Sequence, residues 1–179
     1  MIEEMTKCYQ TETQNLYEHG LSVWKHTQKL LSKEHEGMKI PKWFENWDAS
    51  LCHSLDTIEQ YTIFHDIGKT RCLVFDEAGR RHFPDHAAIS RTMWLEKGCC
   101  PVVADLIGLD MIFHTETPEQ IIARNLDEKT LQTLMMVALA ELHANAEMFG
   151  GITSESFCIK YKRLNKRATR VLSALSSKT

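Results

Sequence analysis

The chain has 179 residues and a mass of 20.7 kDa, about one domain at ~150 residues per domain. Apolar residues make up 43% and charged residues 25%, which excludes a disordered, collagen-like or coiled-coil chain. With 21 basic and 24 acidic residues the net charge is −3, so the chain as a whole is no polycation built to coat nucleic acid.

The longest clean apolar run, residues 134–140, is seven residues, and no membrane contact is expected. Met1-Ile2-Glu3-Glu4-Met5 lacks the basic-then-apolar pattern of a secretory signal. The six cysteines (Cys8, Cys52, Cys72, Cys99, Cys100, Cys158) contain no Cys-x-x-Cys pair. A cytoplasmic chain with reduced thiols is the expectation.

Eight glycines and four prolines punctuate the chain sparsely, which favours helices. Residues 15–33 read as the first long helix, with His19, Val23, His26 and Leu30 on one face. After Gly37, Pro41 opens a short helix through Trp43, Phe44 and Trp47, a cluster that suits either the core or stacking on a base. Residues 56–69 form the next helix, capped by Asp56. Residues 72–75 and 80–83 flank Asp76-Glu77-Ala78-Gly79 as a small hairpin. Asp85 caps a helix to Lys97, with Gly98 past its end. Residues 101–114 follow as one helix. Asp127 caps a long helix to Phe149, closed by Gly150-Gly151, and residues 157–175 make the last helix. The sum is an all-α single domain over residues 1–179 with one hairpin.

Nine histidines are many for this length, and several fall among apolar neighbours. His65-Asp66 follows Ile63 and Phe64 at a helix end. Adjacent side chains there diverge by about 100° and can converge on one point beside the helix. An imidazole and a carboxylate together suit a divalent ion. On the 127–149 helix, Leu131, Leu134, Ala138 and Glu141 share one face, and a carboxylate on an apolar stripe is costly unless paired or metal-bound.

Three steps carry a resemblance: Val23-Trp24-Lys25-His26-Thr27, His65-Asp66-Ile67-Gly68-Lys69, and Gly79-Arg80-Arg81-His82-Phe83-Pro84-Asp85-His86. Together they resemble the HD superfamily of metal-dependent phosphohydrolases, and most closely the HD domains of bacterial tRNA nucleotidyltransferases and HD-linked polynucleotide kinases. The likeness covers roughly residues 16–150. It implies an HD-domain helical bundle with the hairpin after the His-Asp helix. It implies one or two divalent ions (Mn, Mg, Ni, Co or Fe) held by His26, His65, Asp66, His86, His114 and Glu141, with Asp66 central to catalysis. His19-Gly20-Leu21-Ser22-Val23 also fits the family's first helix, so His19 rivals His26, and His26 is favoured. Glu141 stands where the family has Asp. Lys69 is expected to hold a phosphate oxygen, and Arg80, Arg81 and Arg91 further phosphates.

The implied activity is a phosphohydrolase or phosphodiesterase on a nucleotide or an RNA or DNA end, with 2′,3′-cyclic or terminal phosphates favoured. A di-iron oxygenase is the alternative within the same ligand set. A non-catalytic nucleic-acid-binding module is the other. It would use Lys160, Lys162, Arg163, Lys166, Arg167 and Arg170, a stretch with no acid from Phe157 to Leu172.

Overall fold

The computed structural model describes residues 1–45 and 47–177; Asn46, inside the expected Trp43–Trp47 helix, lies outside them. It is mostly helical, with one two-stranded antiparallel sheet. Two compact units are present, one from Met1–Trp24 with Ser54–Asp110, the other from Lys25–His53 with the chain from Met111 onward. Among the described residues, no helix is long and apolar enough to cross a membrane.

The first unit opens with α1 (Ile2–Lys7) and the start of α2 (Leu16–Ser32), which continues into the second unit. Asn15 caps α2. Its Oδ1 accepts the Glu18 amide at 2.9 Å, while its own amide donates to Glu18 Oε2 at 3.0 Å, so two orphan donors are satisfied reciprocally.

The expected 56–69 helix is shorter. α3 spans Leu55–Phe64, and Ser54, not Asp56, caps it by accepting the Thr57 amide. A tight turn carries His65, Asp66, Ile67 and Gly68 before the short α4 (Lys69–Cys72). β1 (Val74–Phe75) pairs with β2 (Arg81–His82), in register Val74↔His82, as the hairpin reading expects. α5 (His86–Glu96) follows; Asp85 precedes it at φ 53°, and its side chain does not cap. α6 spans Pro101–Leu109.

The core of this unit gathers Met5, Leu16, Ile67 and Met93, with Phe64 and Ile89 against them. The Phe64 and Trp94 rings lie 5.3 Å apart. Ile67 anchors the turn that holds Asp66, so burial of its side chain, worth roughly 2 kcal/mol, also fixes the carboxylate's position.

In the second unit the expected 101–114 helix has broken. α6 ends at Leu109 and α7 spans Ile112–Thr115; Asp110, which follows α6, accepts the Tyr61 hydroxyl at 2.5 Å within the first unit. α8 (Pro118–Ala123) carries a full capping box between Thr117 and Gln120, with Pro118 at its first position. α9 spans Glu128–Ala144 and ends before Phe149, which belongs to a 3-10 turn. It is buried nearly all round, as a central helix must be. α10 (Glu155–Ser176) packs on α9, α8 and α7 and buries Phe157, Tyr161, Leu164, Ala168 and Val171. Phe44 and Trp47 are buried with ring centroids 4.9 Å apart, so these two rings of the cluster are core, while Trp43 is half-buried.

Asp127 caps α9 as expected, accepting the Thr130 amide at 2.9 Å. Burial pushes its carboxyl up, but the Thr130 hydrogen bonds prevail and hold it below the usual value. Asp127→Ala should cost about 1 kcal/mol in urea unfolding at neutral pH, and Asp127→Asn much less. A carboxyl lowered in the folded state stabilises above its ordinary pKa and loses that contribution as pH falls through the folded value. The stability gap between wild type and Asp127→Ala should therefore close below about pH 4.

The cysteines are free thiols. Burial pushes the Cys52 thiol up to about 12, against the opposing hydrogen bond of Thr133. Cys100 is exposed. Alkylation at pH 8, mapped by mass spectrometry, should label Cys100 first and Cys52 at least ~100-fold more slowly, because the thiolate is the reactive form.

Candidate metal centre

The first unit buries a carboxylate among imidazoles. Asp66 is 1% exposed, His65 1% and His19 0%. Asp66 Oδ2 lies 3.4 Å from His65 Nε2 and 3.7 Å from His19 Nε2, and Oδ1 lies 3.5 Å from His86 Nε2. One ligand nitrogen of His19 and one of His65 are within 4.8 Å of each other. Lys69 Nζ sits 2.6 Å from Asp66 Oδ2 and donates also to Gln10 Oε1 at 3.0 Å.

Backbone carbonyls set the orientation of two of these rings. His65 Nδ1 is 2.8 Å from the Thr62 carbonyl and His86 Nδ1 is 3.0 Å from the Phe83 carbonyl. A carbonyl only accepts, so both Nδ1 atoms carry the proton. In the neutral ring the Nε2 lone pair then points toward the Asp66 oxygens. Lone pair facing carboxylate is repulsive until a cation sits between them. A proton serves one ring, whereas a divalent ion serves all three.

The spacing agrees. Ligand atoms ~2.1 Å from an ion stand about 3.0 Å apart in octahedral and about 3.4 Å apart in tetrahedral arrangement. Three imidazoles and one carboxylate suit Mn, Fe, Co, Ni or Zn better than Mg, which prefers oxygen donors. The residues present therefore fit a divalent transition ion.

Burial works to raise the Asp66 carboxyl, but the Lys69 ammonium, joined by the His65 and His19 rings in their protonated form, outweighs it and holds it well below the carboxylate range. The group is anionic and ready to ligate.

Two glycines bring the surrounding helices this close. A Cβ on Gly20 would stand 2.2 Å from the Ile63 carbonyl oxygen, so α2 lies directly on the end of α3 and delivers His19, its neighbour. A Cβ on Gly68 would stand 2.4 Å from the Ser90 nitrogen and 2.5 Å from the His86 carbonyl oxygen, so α5 crosses there and delivers His86. The Gly68 amide donates to Ser90 Oγ at 2.8 Å, locking the turn.

Of the two rivals on α2, His19 is the one that lies beside Asp66. Two turns further along α2, His26 belongs to the second unit, where its ring stacks on His143 at 6.4 Å. The Gly20 contact fixes the register: the helix touches α3 beside residue 19. Gln10, which shares the Lys69 ammonium, left no signal in the sequence.

Of the phosphate-binding candidates, Lys69 reaches Asp66. Arg80 pairs with Asp76 and Arg91 with Asp105, each at 3.0 Å. Arg81 is exposed on β2 and lines an open groove with Lys7, Cys8 and Phe75. His114 and Glu141 lie in the second unit, Nε2 to Oε2 2.9 Å, on the wall of a cavity of about 240 Å³. His143 is buried there against the Lys39 carbonyl, and burial lowers its ring to about 4.

The chain matches no protein-family model, no curated protein and no solved structure.

Proposed function

We propose that the chain is a divalent-metal-dependent phosphohydrolase of the HD type, acting on a nucleotide or nucleic-acid phosphate ester, with 2′,3′-cyclic or terminal phosphates favoured. The observation that carries this reading is the buried Asp66 carboxylate facing the Nε2 atoms of His19, His65 and His86. The His-Asp-Ile-Gly-Lys and His-Phe-x-x-His steps supply the kinship in sequence.

His19, His65, Asp66 and His86 would hold the ion. When bound, it supplies a Lewis acid for the phosphoryl oxygens and lowers the pKa of water. Asp66 contributes negative charge to the ligand set and orients Lys69. The Lys69 ammonium, mostly buried but not sealed, holds positive charge against a phosphate oxygen as the ester cleaves. Phe83, 5.2 Å from Nζ, restricts where that ammonium points.

The test is a chelator-stripped sample assayed after adding back Mn, Co, Ni or Mg, over bis-p-nitrophenyl phosphate, 2′,3′-cyclic nucleotides, nucleoside monophosphates and deoxynucleoside triphosphates. Turnover restored by Mn, Co or Ni supports the reading and names the substrate class. Stoichiometric iron with oxygen uptake and no phosphate release would replace it with the oxygenase.

A further inference from the structure

The last helix carries a feature that the metal centre leaves unused. On α10 the cations Lys160, Lys162, Arg163, Lys166, Arg167 and Arg170 span an arc of about 160° at 100° per residue. Over ten residues they extend about 15 Å along the axis. The opposite face, with Phe157, Tyr161, Leu164, Ala168 and Val171, is buried in the second unit. None of the six cations makes an ion pair with a carboxylate among the described residues; Arg167 instead donates to the Glu116 and Phe113 carbonyls. Burial and the charge of Arg163 both weaken the hold of Arg167 on its proton, as expected for like charges one turn apart.

Two concavities flank this arc. One is the cavity of about 240 Å³, where Lys160, Arg163 and Arg167 face the apolar side chains of Phe149 and Leu142, with Glu141 as its carboxylate. The Lys160 ammonium lies 4.8 Å over the Phe149 ring. The other is an open cleft of about 630 Å³ along Lys166 and Arg170, where Glu119 is the acid. Cations outnumber carboxylates in both.

We propose that α10 is a docking surface for single-stranded nucleic acid, its phosphates running along Arg163, Lys166 and Arg170 and one nucleotide entering the cavity beside Phe149. A membrane surface fits less well. The apolar face that would insert into lipid is spent on packing within the unit, and a lipid headgroup has no use for an aromatic-walled cavity. This role does not depend on the metal centre, so it stands or falls separately from hydrolysis.

The test is fluorescence anisotropy of a labelled twelve-nucleotide single-stranded RNA and its DNA counterpart, in EDTA so that no metal chemistry intervenes. The full chain is compared with the triple variant Lys162→Gln, Lys166→Gln, Arg170→Gln. A control triple, Lys25→Gln, Lys42→Gln, Lys129→Gln, removes the same charge from other exposed positions of the second unit. The α10 triple should weaken binding at least tenfold and lower the log–log salt slope by about 2, at ~0.7 per single-strand phosphate contact. The control triple should stay within twofold. Arg163→Gln and Phe149→Leu should each weaken binding several-fold. Thermal unfolding of each variant checks that the fold is kept.

Equal loss in the two triples would overturn the proposal, since net charge alone would then account for binding. So would wild-type affinity in both Arg163→Gln and Phe149→Leu, or no binding at 50 mM salt. Competition by phosphatidylserine vesicles or poly-glutamate as effective as RNA, at equal charge concentration, would reassign the surface to lipid or to an acidic protein.

Discussion

Asp66→Asn should abolish turnover and tight metal binding together. The carboxylate is the one anionic ligand among His19, His65 and His86, and an amide of the same size cannot cancel the charge of the ion. A loss of at least ~10³-fold in kcat/KM is expected, about 4 kcal/mol of barrier at 1.36 kcal/mol per decade. Titration calorimetry with Mn or Co should show a parallel loss of affinity. The same substitution removes the 2.6 Å partner of Lys69. Breaking a buried pair costs roughly 3–5 kcal/mol, less here because the ammonium keeps Gln10 and some access to water. Stability and function separate in the double variant Asp66→Asn, Lys69→Met. With no orphaned charge it should regain most of the lost stability and none of the metal binding. His19→Ala should weaken metal binding by at least the roughly 10–100-fold that losing a ligand's hydrogen-bond partner costs, and His26→Ala by less than threefold. If His26→Ala proves the more damaging, the ligand set drawn from the Asp66 geometry is wrong.

Much of the fold could be read from punctuation and periodicity. The hairpin follows from the turn residues Asp76-Glu77-Ala78-Gly79 between two short segments, and α9 from Asp127 ahead of its stripe. Among the differences, two have identifiable reasons. The 101–114 helix divides at Asp110, whose carboxylate pairs with Tyr61, a partner 49 residues away that no local pattern reveals. α8 was missed although Thr117-Pro118-Glu119-Gln120 spells a capping box with proline at its first position, a signal the sequence did contain.

The site divides in the same way. His65 and Asp66 were legible because they are adjacent, and His86 because it ends a recognisable step. The choice between His19 and His26 depends on where α2 touches α3, which is a tertiary fact. Its trace in the sequence is Gly20. A glycine inside a long helix is unfavourable by about 1 kcal/mol relative to alanine, so it signals a close approach. The residue beside it is the one delivered to the neighbour.

That argument yields the second large effect, in Gly20→Ala. Helix propensity alone would make alanine stabilising by about 1 kcal/mol. The new methyl would stand 2.2 Å from the Ile63 carbonyl oxygen and 2.9 Å from its carbonyl carbon and Cα. All three are backbone atoms that no rotamer change can move aside. The helices must part, and overpacking of this kind costs about 3 kcal/mol or more. The balance is a destabilisation of about 2 kcal/mol, or a Tm lower by roughly 4–8 °C for a chain of this size. Gly37→Ala is the comparison. Gly37 has φ 77° and nothing within 4 Å, so its cost is about 1 kcal/mol of backbone strain with no displacement of a neighbour. The two variants differ most in function. Parting α2 from α3 moves His19 off Asp66, so Gly20→Ala should lose at least tenfold in Mn affinity and Gly37→Ala none. A Gly20→Ala protein with wild-type Tm and wild-type Mn affinity would mean that α2 does not lie on α3 as described, and His19 would lose its claim to the metal.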